Sequence, residues 1–189
     1  MVILVNMLGS YKIRNKKFYN IEFEERVLSV RRVVKVVKGG RIFSFSVLVV
    51  IGSKNGYFGV GLGKALEVTE ARKKAINKAK RNLYRVVLTK EGTIPHLVEA
   101  KYGSTRVVLR PASVGRGIIA GGVMRVIFEC IGIRDIVAKC IGSSSPCNLA
   151  TSTINALLQL KSKKYYKLLG RNDEDVEALE EDFVVEETE

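Results

Sequence analysis

The chain has 189 residues, 47% of them hydrophobic, with 32 Lys+Arg against 19 Asp+Glu and a formal net charge of +13. That apolar content supports a packed core of one large or two small domains and excludes global disorder. The cationic excess points to an anionic partner, nucleic acid ahead of an anionic membrane, because a compact charged body repels itself until it is neutralised.

In chain order, Met1–Leu8 is apolar and the basic residues follow it, which is the wrong order for a secretory signal. Residues 1–21 read as a loose N-terminal arm. Leu28–Val37, rich in valine and basic residues, reads as a strand, and Lys38-Gly39-Gly40-Arg41 as a turn. Ile42–Ile51 is ten residues broken by Ser44 and Ser46, too short to span a bilayer and suited to a buried strand. Gly52-Ser53-Lys54-Asn55-Gly56 is a second turn, with Asn-Gly as its hairpin signal, and Tyr57–Leu62 is a third strand. Glu67–Val87 reads as a long helix. At 100° per residue Val68, Ala71, Ala75, Ala79, Leu83 and Val86 form an apolar stripe. Lys74, Lys78, Arg81 and Arg85 fall within about 60° of one another on its flank. The first unit is therefore β-β-β-α over residues 22–88.

Thr89–Gly92 reads as a linker to a second unit over residues 93–160. Strands are expected at Ile94–Tyr102 and Thr105–Leu109, then a glycine-rich loop at Pro111–Gly122. A helix at Val123–Ile131, a strand at Asp135–Ile141 and a helix at Asn148–Leu160 complete it. Ser143-Ser144-Ser145 stands ready to cap the last helix. Residues 161–170 form a basic extension. From Arg171 to Glu189 there are ten acidic residues and one basic, leaving 31 basic against nine acidic, or +22, on Met1–Gly170. That last segment reads as an acidic flexible tail. The whole is an α+β pattern of two units.

Three cysteines, Cys130, Cys140 and Cys147, lack Cys-x-x-Cys spacing, and His96 is the single histidine, so no metal site is expected. The nine carboxylates before Arg171 form no pair spaced for acid/base work, and no cofactor or enzymatic role is expected. Gly59-x-Gly61-x-Gly63-Lys64 fails as a Walker A loop, because Phe58 and Ala65 replace the first glycine and the hydroxyl. Its glycines either permit close strand packing or admit a nucleic-acid backbone beside a helix start. Lys38-Gly39-Gly40-Arg41 is either an ordinary solvated hairpin or a narrow basic finger, extended by Arg31, Arg32 and Lys35. Phe43 and Phe45 alternate with serines and are expected in the core, whereas Tyr57 is freer to stack on a base. The Pro111–Gly122 loop either holds a phosphate at a helix start or docks on a protein.

Several runs in register identify a resemblance over residues 22–160. They are Lys38-Gly39-Gly40-Arg41-Ile42-Phe43-Ser44-Phe45, Asn55-Gly56, Gly59-x-Gly61-x-Gly63-Lys64-Ala65, Thr93-Ile94-Pro95-His96 and Pro111-Ala112-Ser113. Gly115-x-Gly117-Ile118-Ile119-Ala120-Gly121-Gly122-x-Met124-Arg125, Ile141-Gly142-Ser143 and Pro146-x-Asn148 continue the series. Together they resemble bacterial small-subunit ribosomal protein five. The resemblance implies a double-stranded-RNA-binding-like β-β-β-α domain followed by a left-handed β-α-β two-layer domain. It implies a structural constituent of the small subunit that binds 16S-type ribosomal RNA near the neck and decoding region and supports translational accuracy. Implied partners are ribosomal proteins four and eight, with protein three nearby and messenger RNA at the entry side; no membrane is involved. The implied location is the small subunit in a bacterial cytoplasm or an organelle.

The family's finger, matching Lys38–Arg41, is associated with head–neck RNA and spectinomycin sensitivity. Arg31, Arg32, Lys35, Lys38, Gly39, Gly40, Arg41, Asn55, Tyr57, Lys64, Lys74, Lys78, Arg81 and Arg85 are the candidate RNA contacts, and Arg116, Gly117 and Arg125 the candidate protein contacts. Thr69 replaces a helix-starting proline of many members, a change of little expected consequence. Two other readings are a small-molecule kinase-like ATP-binding protein, which lacks Mg²⁺ ligands and a base here, and a free double-stranded-RNA binder.

Overall fold

The computed structural model describes residues 9–13 and 22–162. Most of the expected arm, the basic extension beyond Ser162 and the acidic tail lie outside the described residues. The elements are β1 (Tyr11–Lys12), β2 (Glu24–Val37), β3 (Gly40–Gly52), β4 (Tyr57–Ala65), α1 (Val68–Arg81) and β5 (Leu83–Arg85), followed by β6 (Val98–Tyr102), β7 (Thr105–Pro111), β8 (Ile118–Ile119), α2 (Gly122–Ile131), β9 (Ile136–Gly142) and α3 (Pro146–Gln159). They build two sheets, a five-stranded one in the order β1-β5-β4-β3-β2 and a four-stranded one in the order β6-β7-β9-β8. The first is antiparallel throughout. In the second, β8 and β9 are parallel and α2 connects them, giving the β-α-β unit. The fold is α+β in two domains, as the sequence pattern anticipates.

β3 explains the geometry. Val47, Val49 and Ile51 pack against Ala71, Ala75 and Ala79 of α1. Leu48 and Val50 point the other way, into a core shared with Met124, Ile127, Phe128 and Ile131 of α2. Alternation along the strand puts two helices on opposite faces of one sheet, which is why the run is apolar at successive positions. α3 closes the second unit with Leu149, Ala150, Ile154 and Leu157 in the same core as Val107, Leu109 and Ile136.

The glycines of β4 complete the first packing layer. A Cβ on Gly59, Gly61 or Gly63 would stand 2.5, 2.1 and 2.1 Å from the carbonyl oxygens of Ala79, Ala75 and Ala71. Helix and strand therefore meet backbone to backbone, and the close-packing alternative for this motif is the one realised.

Four expectations are corrected. The long helix stops at Arg81, where Asn82 leaves helical geometry (φ −117°, ψ 67°), and its amide group donates to the Lys78 carbonyl. Leu83-Tyr84-Arg85 instead pairs with Tyr57–Gly59, because β-formers at the open edge of β4 gain a ladder while Leu83 and Val86 stay buried. The arm is not loose at residues 9–13: β1 pairs with β5, and the Ser10 amide donates to the Leu160 carbonyl at 3.0 Å. The Ile94–Tyr102 strand begins only at Val98, since Pro95 has no amide donor and Ile94 is consumed by the core. The Ser143–Ser145 cluster gives α3 no side-chain cap; Ser145 occupies the N-cap position by backbone geometry alone.

Thr89–Gly92 is no slack tether. Thr89 and Thr93 hydrogen-bond reciprocally, and the Gly92 carbonyl accepts from the Arg134 amide at 2.8 Å. The two units also meet directly. The turn after β3 sends the Lys54 and Gly56 amides to the Cys130 and Ile131 carbonyls at the end of α2, at 3.0 and 2.9 Å. Gly132 there adopts φ +96°, and a Cβ on it would be 2.0 Å from the Lys54 carbonyl oxygen.

Candidate nucleic-acid interface

β2 and β3 run beyond the body of the sheet as a two-stranded finger. Val37 pairs with Gly40, so Lys38 and Gly39 alone form its tip. Gly40 holds φ +132°, and no atom lies within 4 Å of where Cβ atoms on Gly39 or Gly40 would stand. The turn is Lys38 followed by bare main chain at Gly39 and Gly40, with Arg41 next.

Register fixes which way the cations point. Arg31, Ser46 and Lys64 lie opposite one another across three strands, and Lys35 pairs with Ile42 on the same face, away from α1. Arg32 pairs with Phe45 and Val36 with Arg41 on the α1 face. The finger is therefore cationic on both faces. Among the described residues, the ion pairs of this sheet gather at the end far from the finger: Glu24 with Arg26 and Lys54, and Glu25 with Arg72 and Lys80. Arg31, Lys35, Lys38, Arg41 and Lys64 belong to none of the ion pairs among the described residues. A run of exposed cations without counter-charge is the electrostatic footprint of a polyanion site.

Phe43 corrects a further expectation. It lies past the end of α1, is 41% exposed, and carries the Arg32 guanidinium over its ring at 3.8 Å from the centroid. Phe45, two residues nearer the body, does pack against the core. Val34 and Val36 are exposed on the same face as Phe43, and Ile42 is exposed on the other, so the finger carries apolar surface of the kind that partners cover.

The remaining candidates divide by position. α1 runs antiparallel to β4, from Ala71 beside Gly63 to Ala79 beside Gly59, so Lys78 and Arg81 sit at the end of the sheet far from the finger. Lys74 lies midway and is paired with Glu70. Arg85 is not on the helical stripe at all; it sits on β5 with its guanidinium over the Tyr57 ring, 5.4 Å from the centroid. Tyr57 is thus half-buried and already engaged, and Asn55 lies in the turn against α2. Glu67 and Glu70 occupy the start of α1, which disposes of an anion site there.

In the Pro111–Gly122 loop, the Gly117 amide donates to the buried Asp135 carboxylate at 2.6 Å, so an internal anion fills the place offered to a phosphate. Arg125 folds back onto the Ile118 carbonyl at 3.2 Å, while Arg116 is exposed. Sequence reasoning passed over a second basic face. Lys101, Arg106, Arg110 and Lys139 occupy the side of the four-stranded sheet opposite its buried residues, with Lys101 level with Arg106; Glu99 shares that side and pairs with Arg106. The signal was there in the alternation Arg106-Val107-Val108-Leu109-Arg110.

A cleft of about 410 Å³ between the units is lined by Glu24, Arg26, Lys54, Glu129, Cys130 and Arg134, among others. Hydrogen bonds from Arg26 and Lys54 hold the Glu24 carboxyl below its ordinary range. Burial pushes the Cys130 thiol up to about 11. A carboxylate locked in ion pairs and an un-ionised thiol offer neither base nor nucleophile.

The family model described as ribosomal protein S5, N-terminal domain, matches residues 23–87, and that for the S5 C-terminal domain matches residues 100–168. The chain belongs to the ribosomal protein S5 family. It is 53% identical over 153 residues to small ribosomal subunit protein uS5 of Ehrlichia ruminantium, covering 81% of this chain and 87% of that protein. The uS5 protein of Ehrlichia canis is 54% identical over 143 residues, 76% of this chain and 82% of its own. That of Bacteroides thetaiotaomicron is 48% identical over 151 residues, with coverages of 80% and 87%. S5 proteins are structural and not enzymatic, so the kinase-like alternative falls. The finger lies in the segment matched to the S5 N-terminal domain, and the second basic face mostly in that matched to the S5 C-terminal domain.

Proposed function

We propose that this chain is a structural component of the small ribosomal subunit that binds 16S-type ribosomal RNA through the β2–β3 finger. The observation that carries the reading is a projecting hairpin whose cations lack acidic neighbours and whose tip has no side chain bulkier than hydrogen at two successive positions. Such a probe enters a groove or junction, and reads backbone and shape, because duplex RNA hides the base edges of its narrow major groove. Arg31, Lys35 and Lys64 grip phosphates on one face; Arg32 and Arg41 do so on the other, with Lys38 at the tip. Lys74, Lys78 and Arg81 add a separate contact from α1, and Arg85, Asn55 and Tyr57 flank it.

The same reading puts the chain near the neck and decoding region, where it supports accuracy and messenger entry in a bacterial-type ribosome. Arg116, Gly117 and Arg125 face a neighbouring protein, ribosomal protein four; protein eight is a second neighbour and protein three lies nearby. The test is gradient fractionation of the tagged chain together with binding to 16S-type RNA across a salt series. We expect comigration with small subunits in moderate salt. Lys38→Glu with Arg41→Glu should reduce the salt slope by about 1.4 to 1.8, at roughly 0.7 to 0.9 per lost phosphate contact. Binding that is indifferent to salt, or absence from small-subunit fractions, would overturn it.

A further inference from the structure

The cations of α1 have a second occupant within the chain. Arg72 and Lys80 are spent on Glu25 and Lys74 on Glu70, but Lys73, Lys78 and Arg81 are exposed and take part in no ion pair among the described residues. They line the solvent side of a 14-residue helix, about 21 Å long. Residues 173–189 carry ten carboxylates and no basic residue in seventeen positions. Charge and length match.

So does the point of departure. The described chain ends at Ser162, where Lys161 bridges to Gly9 and the Leu160 carbonyl holds the Ser10 amide. Gly9 and Ser10 lead into β1, β1 pairs with β5, and β5 follows α1 after a single residue. The C-terminal segment thus leaves the body about four strand residues, or roughly 13 Å, beyond the far end of α1, the end where Lys78 and Arg81 stand. Ten residues, 163–172, separate Ser162 from Asp173 and span up to about 33–36 Å when extended. The strands from β1 to β4, beneath α1, are only about 10 Å across. Reaching the tip of the finger is a longer journey, since the finger begins about 24 Å further along the sheet.

We propose that the acidic segment 173–189 docks on the α1 cations as an intramolecular polyanion and is displaced when cognate RNA takes that surface. The inference rests on the preceding reading only in naming RNA as the displacing ligand. A tethered segment acts at an effective concentration in the millimolar range, enough to turn away weak, non-cognate RNA while yielding to a tight site.

Two measurements on the full-length chain test it. In the first, all ten carboxylates from Asp173 to Glu189 are changed to amides. Affinity for a non-cognate RNA duplex should rise at least about fivefold at low salt, and the gain should fade as screening increases. In the second, zero-length carbodiimide coupling of the wild-type chain should join tail carboxylates to Lys73 and Lys78, and added 16S-type RNA should suppress those links. Unchanged duplex affinity in the amide variant, or links confined to Lys35 and Lys38 of the finger, would overturn the proposal. If neither protein binds 16S-type RNA yet the α1 links form, the RNA-binding reading fails and the docking stands. If both bind RNA equally and no α1 link forms, the reverse holds.

Discussion

Gly61→Ala probes the seam between β4 and α1. The added methyl would stand 2.1 Å from the Ala75 carbonyl oxygen and 2.6 Å from the Ala79 amide nitrogen, both main-chain atoms that no rotamer change can move. Ordinary contact requires a further ångström or more, so α1 must rise from the sheet. That shift loosens Ala71, Ala75 and Ala79 from Val47, Val49 and Ile51 along the whole seam. A gap of about 0.5–1 Å forfeits a quarter to a half of each dispersion contact, and overpacking costs about 1–3 kcal/mol. The lower entropy of the unfolded alanine chain returns about 0.4–1 kcal/mol. The net expectation is a loss of about 2 kcal/mol, or a fall in Tm of about 4–8 °C for a protein of this size. Thermal and urea unfolding followed by circular dichroism measure it, with Gly39→Ala as the contrast. That methyl meets no atom within 4 Å, and its effect should stay within about 0.5 kcal/mol. If Gly61→Ala were as stable as the parent but bound RNA poorly, the glycines would serve the ligand and not the seam, and the packing account would be wrong.

Gly132→Ala combines a left-handed backbone with a Cβ 2.0 Å from the Lys54 carbonyl oxygen, and should cost about 3 kcal/mol. Hydrogen exchange at Lys54 and Gly56 reads it directly, and unaltered protection of those two amides would refute the joint. Cys130 is buried, with a thiol pushed up to about 11, so iodoacetamide at pH 8 should modify two cysteines in the native protein and the third only in denaturant. Three adducts forming at one rate would contradict that burial. Burial and nearby Lys161 hold His96 below its ordinary value, so the unfolded chain binds its proton first as pH falls. Its contribution to stability is complete above about 6.5 and is lost as pH drops through the folded value. His96→Gln should flatten that part of a stability-versus-pH curve, and an unchanged slope would assign the acid sensitivity elsewhere.

Much of this architecture was legible where local chemistry and register agree. The finger follows from alternating valines and cations around two glycines, and α2 and α3 from apolar spacing, although α3 opens at Pro146, two residues before the expected Asn148. The errors have one source: periodicity cannot say where an element ends. Leu83 and Val86 fit both a helical stripe and a strand, and only the unpaired edge of β4 decides between them. Arg85 was misplaced with them. Phe43 obeys the alternation that buries Phe45, but α1 does not extend far enough to cover it. The role of Gly59, Gly61 and Gly63 was undecidable from spacing, because close packing and ligand approach both call for absent side chains. The basic face of the second sheet was overlooked because its cations are scattered singly among buried residues and never form a run.

The joint between Gly52, Lys54 and Gly132 has a mechanical consequence. A Cβ on Gly52 would come within 2.0 Å of the Cys130 carbonyl oxygen, so main chain is bolted to main chain with nothing compressible between. The finger and the second sheet then turn as one lever. Whatever grips the hairpin also sets the angle at which the opposite half meets its neighbour.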